Sequence, residues 1–159
     1  MLKQGSDLLR RIDDHAYSHV LLGVTASAIG GHIRHCLDFY NRFLRGLATG
    51  RIDYDARVRN ELVERDRKTA ITNIETVINQ LQSAPITDDQ LSVQVKAEGG
   101  QSRLDWGYSS ISRELQFLMS HTVHHYALIV TMLRLQGYEP AADFGVAPST
   151  LAHWRKKAA

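Results

Sequence analysis

The sequence predicts an all-α protein, a four-helix bundle with a small β-hairpin inserted between helices three and four and a short C-terminal helix. Three observations carry this. Apolar residues recur at three- and four-residue spacing along four long stretches. In one interval, between the third and fourth of them, the period switches to alternation. Hydrophobic residues make up 43% and charged residues 23% of 159 residues, enough apolar material for one core and too short a chain for two. One domain over residues 1–159 is therefore expected.

The first helix is expected over residues 6–19, with Leu8, Leu9, Ile12, His15, Ala16 and His19 on one stripe and Gly23 in the connection after it. The second is expected over 27–47, carrying Ile29, Ile33, Cys36, Leu37, Tyr40, Phe43, Leu44 and Leu47, with Gly50 just beyond its end. Residues 51–60 alternate charges without a helical apolar period and read as an ordered loop. The third helix is expected over 61–82, with Leu62, Ala70, Ile74, Val77, Ile78 and Leu81 inward and Pro85 closing it. Leu91, Val93 and Val95 then alternate with polar residues before Gly99-Gly100, Leu104 and Trp106, the pattern of a hairpin. Ser109 or Ser110 is placed to cap a fourth helix that runs to about residue 136, before Gly137. Pro148-Ser149-Thr150 starts a last short helix ending at Trp154. The long links on either side of the third helix permit a topology other than simple up-and-down.

Charge and composition exclude several function classes. The net charge is +2, from 19 Lys and Arg against 17 Asp and Glu. The basic clusters, Arg155-Lys156-Lys157 and Arg51, Arg57 and Arg59, lack interleaved aromatics, and Asp53 and Asp55 break the second; no nucleic-acid partner is expected. The apolar run at 126–130 is far short of a membrane span. No apolar segment follows the basic start, and the lone Cys36 precludes an internal disulfide, so a cytoplasmic location is expected.

The histidines are the informative residues. In Ser120-His121-Thr122-Val123-His124-His125-Tyr126, His121 and His125 lie about 40° apart around a helix and about 6 Å along it, so both rings can converge on one point. The inward stripe here reads Leu115, Leu118, Thr122 or His121, His125, Leu128 or Ile129, and Met132, which places imidazoles among aliphatics. Burying imidazole costs a few kcal/mol unless its nitrogens are satisfied, and a metal ion satisfies several at once. A third ligand must come from elsewhere. The second helix offers His32 and His35, about 60° apart around the helix, and geometry does not separate them. His124 is a rival partner for His121. His15, His19 and His153 read as surface or packing residues, and Cys36 as packing. Thr122 after His121 departs from the protease pattern His-Glu-x-x-His, so no general-base glutamate is placed. Asp38 is three residues from His35, where it can orient that ring or form a salt bridge.

Ile29-Gly30-Gly31-His32-Ile33-Arg34-His35, the later His121-x-x-x-His125 and the order of four helices resemble the DinB family, over nearly the whole chain. The segments 53–57, 113–115 and 145–151 resemble one branch of that family and attach no activity to it. The resemblance implies a bundle with a metal held by His35, His121 and His125, all three positions being filled here. It also implies homodimers and a metal-dependent transferase or isomerase chemistry that uses a low-molecular-weight thiol such as bacillithiol or mycothiol. Neutral imidazole suits zinc and nickel, and also ferrous iron, so ligand type does not choose among them; zinc or nickel is the expected ion. The expected function is that of a metal-dependent thiol transferase or hydrolase acting on a small molecule, with Tyr40, Arg34 and Glu114 as pocket candidates whose first reading is structural. The alternative is a non-catalytic metal-binding or interaction module whose ion staples the bundle, closed by a fourth ligand such as His32 or Asp38.

Overall fold

In the computed structural model, which describes residues 1–56, 58–84, 86, 92–96, 99 and 105–158, all four expected helical stretches are helical, the second and fourth as single long helices and the first and third in two pieces each. Arg57, Pro85, Leu91, Gly100 and Leu104, which entered the expectations above, lie outside the described residues. The elements in order are α1 (Leu2–Arg11), α2 (Asp14–Ser18), α3 (Ile29–Leu47), β1 (Arg51–Ile52), α4 (Glu61–Arg65), α5 (Arg67–Ser83), β2 (Ser92–Lys96), β3 (Trp106–Ser110), α6 (Ile111–Leu135) and α7 (Pro148–Ala158). Helix α3 packs against both α5 and α6, and α1 packs against α5. The core between them holds Leu9, Tyr17, Ile29, Ile33, Phe39, Phe43, Ile74, Leu118, Tyr126, Ile129 and Met132.

Two helices expected to be continuous are each divided by an aspartate. The first breaks after Arg11, where Asp13 accepts a hydrogen bond from the Ala16 amide at 2.7 Å and starts α2. The third breaks at Asp66, whose carboxylate accepts from the amides of Lys68 (2.7 Å) and Thr69 (3.2 Å). A short side-chain acceptor satisfies the first free amides of a helix better than it serves a helix interior, so these residues cap rather than continue.

The loop expected over 51–60 is a loop only in part. Arg51 and Ile52 form β1, which pairs parallel to β2 (Arg51 with Gln94, Ile52 with Val95), while β2 and β3 form the expected antiparallel hairpin. The result is a three-stranded mixed sheet in the order β1-β2-β3. Ile52 is fully buried against Gly46, where any Cβ would lie 2.5 Å from Ile52 Cγ1, so the close approach of strand to helix depends on glycine.

At the other end of α3, Gly30 serves the same purpose. A Cβ on it would stand 2.0 Å from the Glu64 carbonyl oxygen, so α4 rests directly on the first turn of α3. That contact fixes the end of α3 that carries His32 and His35.

Candidate metal centre

Helices α3 and α6 lie side by side and present their histidines to one another. One nitrogen from each of His35, His121 and His125 falls within 4.8 Å of the others. The ring centroids are 4.9 Å apart for His35 and His121, 4.7 Å for His35 and His125, and 4.6 Å for His121 and His125. Their four-residue spacing puts His121 and His125 on one face of α6, beside the fully buried Thr122 and Ile129, which take the inward positions; Leu128 is exposed. All three rings are half-buried.

Burial and crowding keep His125 uncharged. The His125 imidazolium is disfavoured first by desolvation and then by His121, His35, His32 and His124, which pull its pKa down to about 3. Burial, followed by the nearness of His124, also lowers the pKa of His32. Neutral rings with lone pairs directed at one point are the form in which imidazole ligates a metal. Among the described residues no carboxylate or thiol joins the three rings in the group. The residues therefore fit one divalent ion held through three protein ligands.

His32, one turn before His35, stands outside the triad but against it, its Nδ1 lying 3.0 Å from Nδ1 of His125. Its Nε2 is buried and has no hydrogen-bond partner among the described residues. His124 is exposed, with its ring 5.1 Å from that of His125. His15 and His19 stack on one another at the surface, and His153 is exposed on α7, in keeping with packing and surface roles. Cys36 is buried, and burial pushes its thiol up to about 12, so it stays a protonated packing residue.

The expected pocket residues are engaged with the protein itself. Arg34 donates to Glu64 at 2.9 Å and to the buried Asp38 at 3.1 Å, so Asp38 is salt-bridged. Tyr40 shares a 3.1 Å hydrogen bond with Thr122 across α3 and α6. Glu114 is buried, accepting from the Tyr54 hydroxyl at 2.9 Å and from Ser109. Two surface concavities, of about 330 and 370 Å³, take in none of the histidines.

An aromatic wall was not foreseen. Phe39 stacks on His121 with centroids 4.3 Å apart and contacts His35 edge-on at 4.9 Å; Tyr54 and Phe117 continue the cluster. Phe39 lies four residues after His35 and Phe117 four before His121, a same-face spacing that was legible in the sequence. Apolar ring faces on one side restrict the two imidazoles and lower the local dielectric.

No described helix is long and apolar enough to cross a membrane. No solved structure matches the chain. The chain is similar to FK506-binding protein 5 of Rhizopus delemar, with 33% identity over 109 residues. That match covers 67% of this chain but only 28% of the fungal protein. The family model that matches is the one described as the DinB family, over residues 3–156, and the chain belongs to that family.

Proposed function

We propose that this chain is a metal-dependent enzyme, in which His35, His121 and His125 hold one divalent ion and a thiol or water attacks a small electrophile beside it. The observation that carries this reading is the ligand count. Three imidazoles converge, and among the described residues no fourth Cys, Asp, Glu or His completes the group. Structural zinc sites close with four protein ligands, whereas catalytic sites keep a position open. A divalent ion at such a site supplies Lewis acidity, lowering the pKa of a thiol or water brought to it. Zinc, nickel and ferrous iron all suit this donor set. The protein's own part is to keep His125 deprotonated and the three rings oriented, with Phe39 restricting His121 and His35.

The test begins with metal content. The purified protein is expected to carry one ion per chain, and its cobalt form to develop a sulfur-to-metal absorption band with a low-molecular-weight thiol such as bacillithiol. Turnover of an electrophile panel by the loaded protein is expected to vanish in His121→Ala. A metal that binds without thiol contact or turnover, and whose chelation unfolds the chain, would establish a structural staple instead.

A further inference from the structure

His32 and His125 meet through like atoms, Nδ1 to Nδ1, at 3.0 Å. A hydrogen bond between two imidazole nitrogens needs one proton, and its placement decides what His125 can do. If His32 donates, His125 carries its own proton on Nε2 and turns an N–H toward the other rings. If His125 donates, its Nε2 keeps a lone pair. Only the second arrangement lets His125 ligate through Nε2 while the contact with His32 persists.

We propose that His32 is a positioning residue of the metal centre: its Nδ1 accepts the His125 Nδ1–H and so holds the His125 ring with Nε2 toward His35 and His121. The inference rests on the triad being a metal site. Three observations support it. His32 is not a member of the converging group, although it lies on the same helix one turn from His35. Its ring is tilted 48° to that of His125 with centroids 5.2 Å apart, so the rings meet at their nitrogens and are not stacked. Its Nε2 is buried with no partner among the described residues, so no donor occupies it and it can carry the proton that acceptance at Nδ1 requires. Metal-bound histidines generally donate their second ring N–H to an outer acceptor, which fixes tautomer and orientation. Carboxylates and backbone carbonyls are the usual acceptors, and here a second imidazole takes that place.

The experiment compares zinc affinity, by chelator competition, in the wild type, His32→Ala and His32→Gln, with imidazole ¹⁵N spectra of the zinc-loaded wild type. Removing an outer acceptor typically weakens metal binding by about 10- to 100-fold. That loss is expected for His32→Ala, with most of it regained in His32→Gln, whose amide oxygen can accept the same proton. The spectra are expected to show His125 coordinated through Nε2 and protonated at Nδ1, and the cobalt spectrum of His32→Ala to keep the wild-type shape. Unchanged affinity in His32→Ala, coordination of His125 through Nδ1, or a cobalt spectrum that reports one ligand fewer would each overturn the inference. Should His32→Ala fail to fold, His32→Gln and the wild-type spectra still decide. A wild type that takes up no metal brings down the underlying reading, a result read from the wild type alone.

Discussion

Helix α6 buries two polar clusters about two turns apart, and they are built on opposite principles. In its first turn Glu114 is sealed from solvent and accepts from Tyr54 and Ser109, with the Arg113 guanidinium 3.7 Å away. Every strong polar demand there is met by the protein. Around His121 and His125 the neighbours are other imidazoles and the ring faces of Phe39 and Phe117, and nitrogen faces nitrogen. A cluster closed on itself serves the fold, because breaking it exposes buried groups without partners. A cluster in which three imidazoles each bring a ring nitrogen within 4.8 Å of the others has the spacing to hold a cation from outside. The β1-β2-β3 corner, which supplies Ser109, and the loop that supplies Tyr54 belong to the first kind.

The largest expected effect comes from a paired test of this contrast. His121→Ala is expected to abolish zinc binding while the metal-free chain stays folded, since the ring is only half-buried. Glu114→Ala is expected to do the reverse. It strands the buried Tyr54 hydroxyl at a cost of about 1–3 kcal/mol, with zinc affinity close to wild type. Urea unfolding and zinc titration of both variants check the pair. If Glu114→Ala loses the metal, or His121→Ala unfolds, the two clusters are not separate in purpose.

Acid provides a second, smaller probe. The folded chain holds His125 down to about 3, against an ordinary value near 6.5 in the unfolded chain. Between those values the unfolded state binds the proton that the folded state refuses, so metal-free stability is full above about pH 6.5 and falls progressively as pH drops toward 3. His125→Ala is expected to flatten that decline in urea midpoints measured from pH 7 to 4. Zinc should raise the midpoint at pH 7 and lose its effect in acid, as protons compete for the ligands. A decline equally steep in the variant would show that other groups govern it.

The long helices were legible because their packing faces repeat at the helical period, and the His121–His125 pair because four residues return a side chain to the same face. What escaped was set by competing local chemistry or by distance along the chain. Asp13 and Asp66 sit inside apolar patterns that continue across them, and only the capping hydrogen bonds reveal the breaks. Strand β1 is two residues long, too short to display alternation, and its partner β2 begins forty residues later. His32 and His35 differ by about 60° on the helix, less than the width of an inward face, so spacing did not rank them. The family resemblance chose His35. The structure brings both rings to the site and gives them different contacts, His35 within the triad and His32 against the His125 Nδ1.

The smallest expected effect lies within the histidine cluster's own stretch of α6, where Thr122 joins Tyr40 of α3. Thr122 also donates to the Leu118 carbonyl at 2.7 Å, so its oxygen already spends its own proton within α6. Tyr40 must then be the donor across the 3.1 Å contact, and Tyr40→Phe removes that donor. The Thr122 oxygen keeps its bond to Leu118, and no buried donor is left stranded. The cost should therefore be about 1 kcal/mol, the net value of one neutral hydrogen bond. Thr122→Val, by contrast, strands the Tyr40 hydroxyl and should cost more, although it removes the same interhelical bond. Equal losses in the two variants, read by urea unfolding, would mean that Tyr40 is the acceptor or that solvent reaches its hydroxyl. A loss of zinc affinity in either would show that this tie between α3 and α6, one residue from His121, sets the spacing of the metal ligands as well as the stability of the bundle.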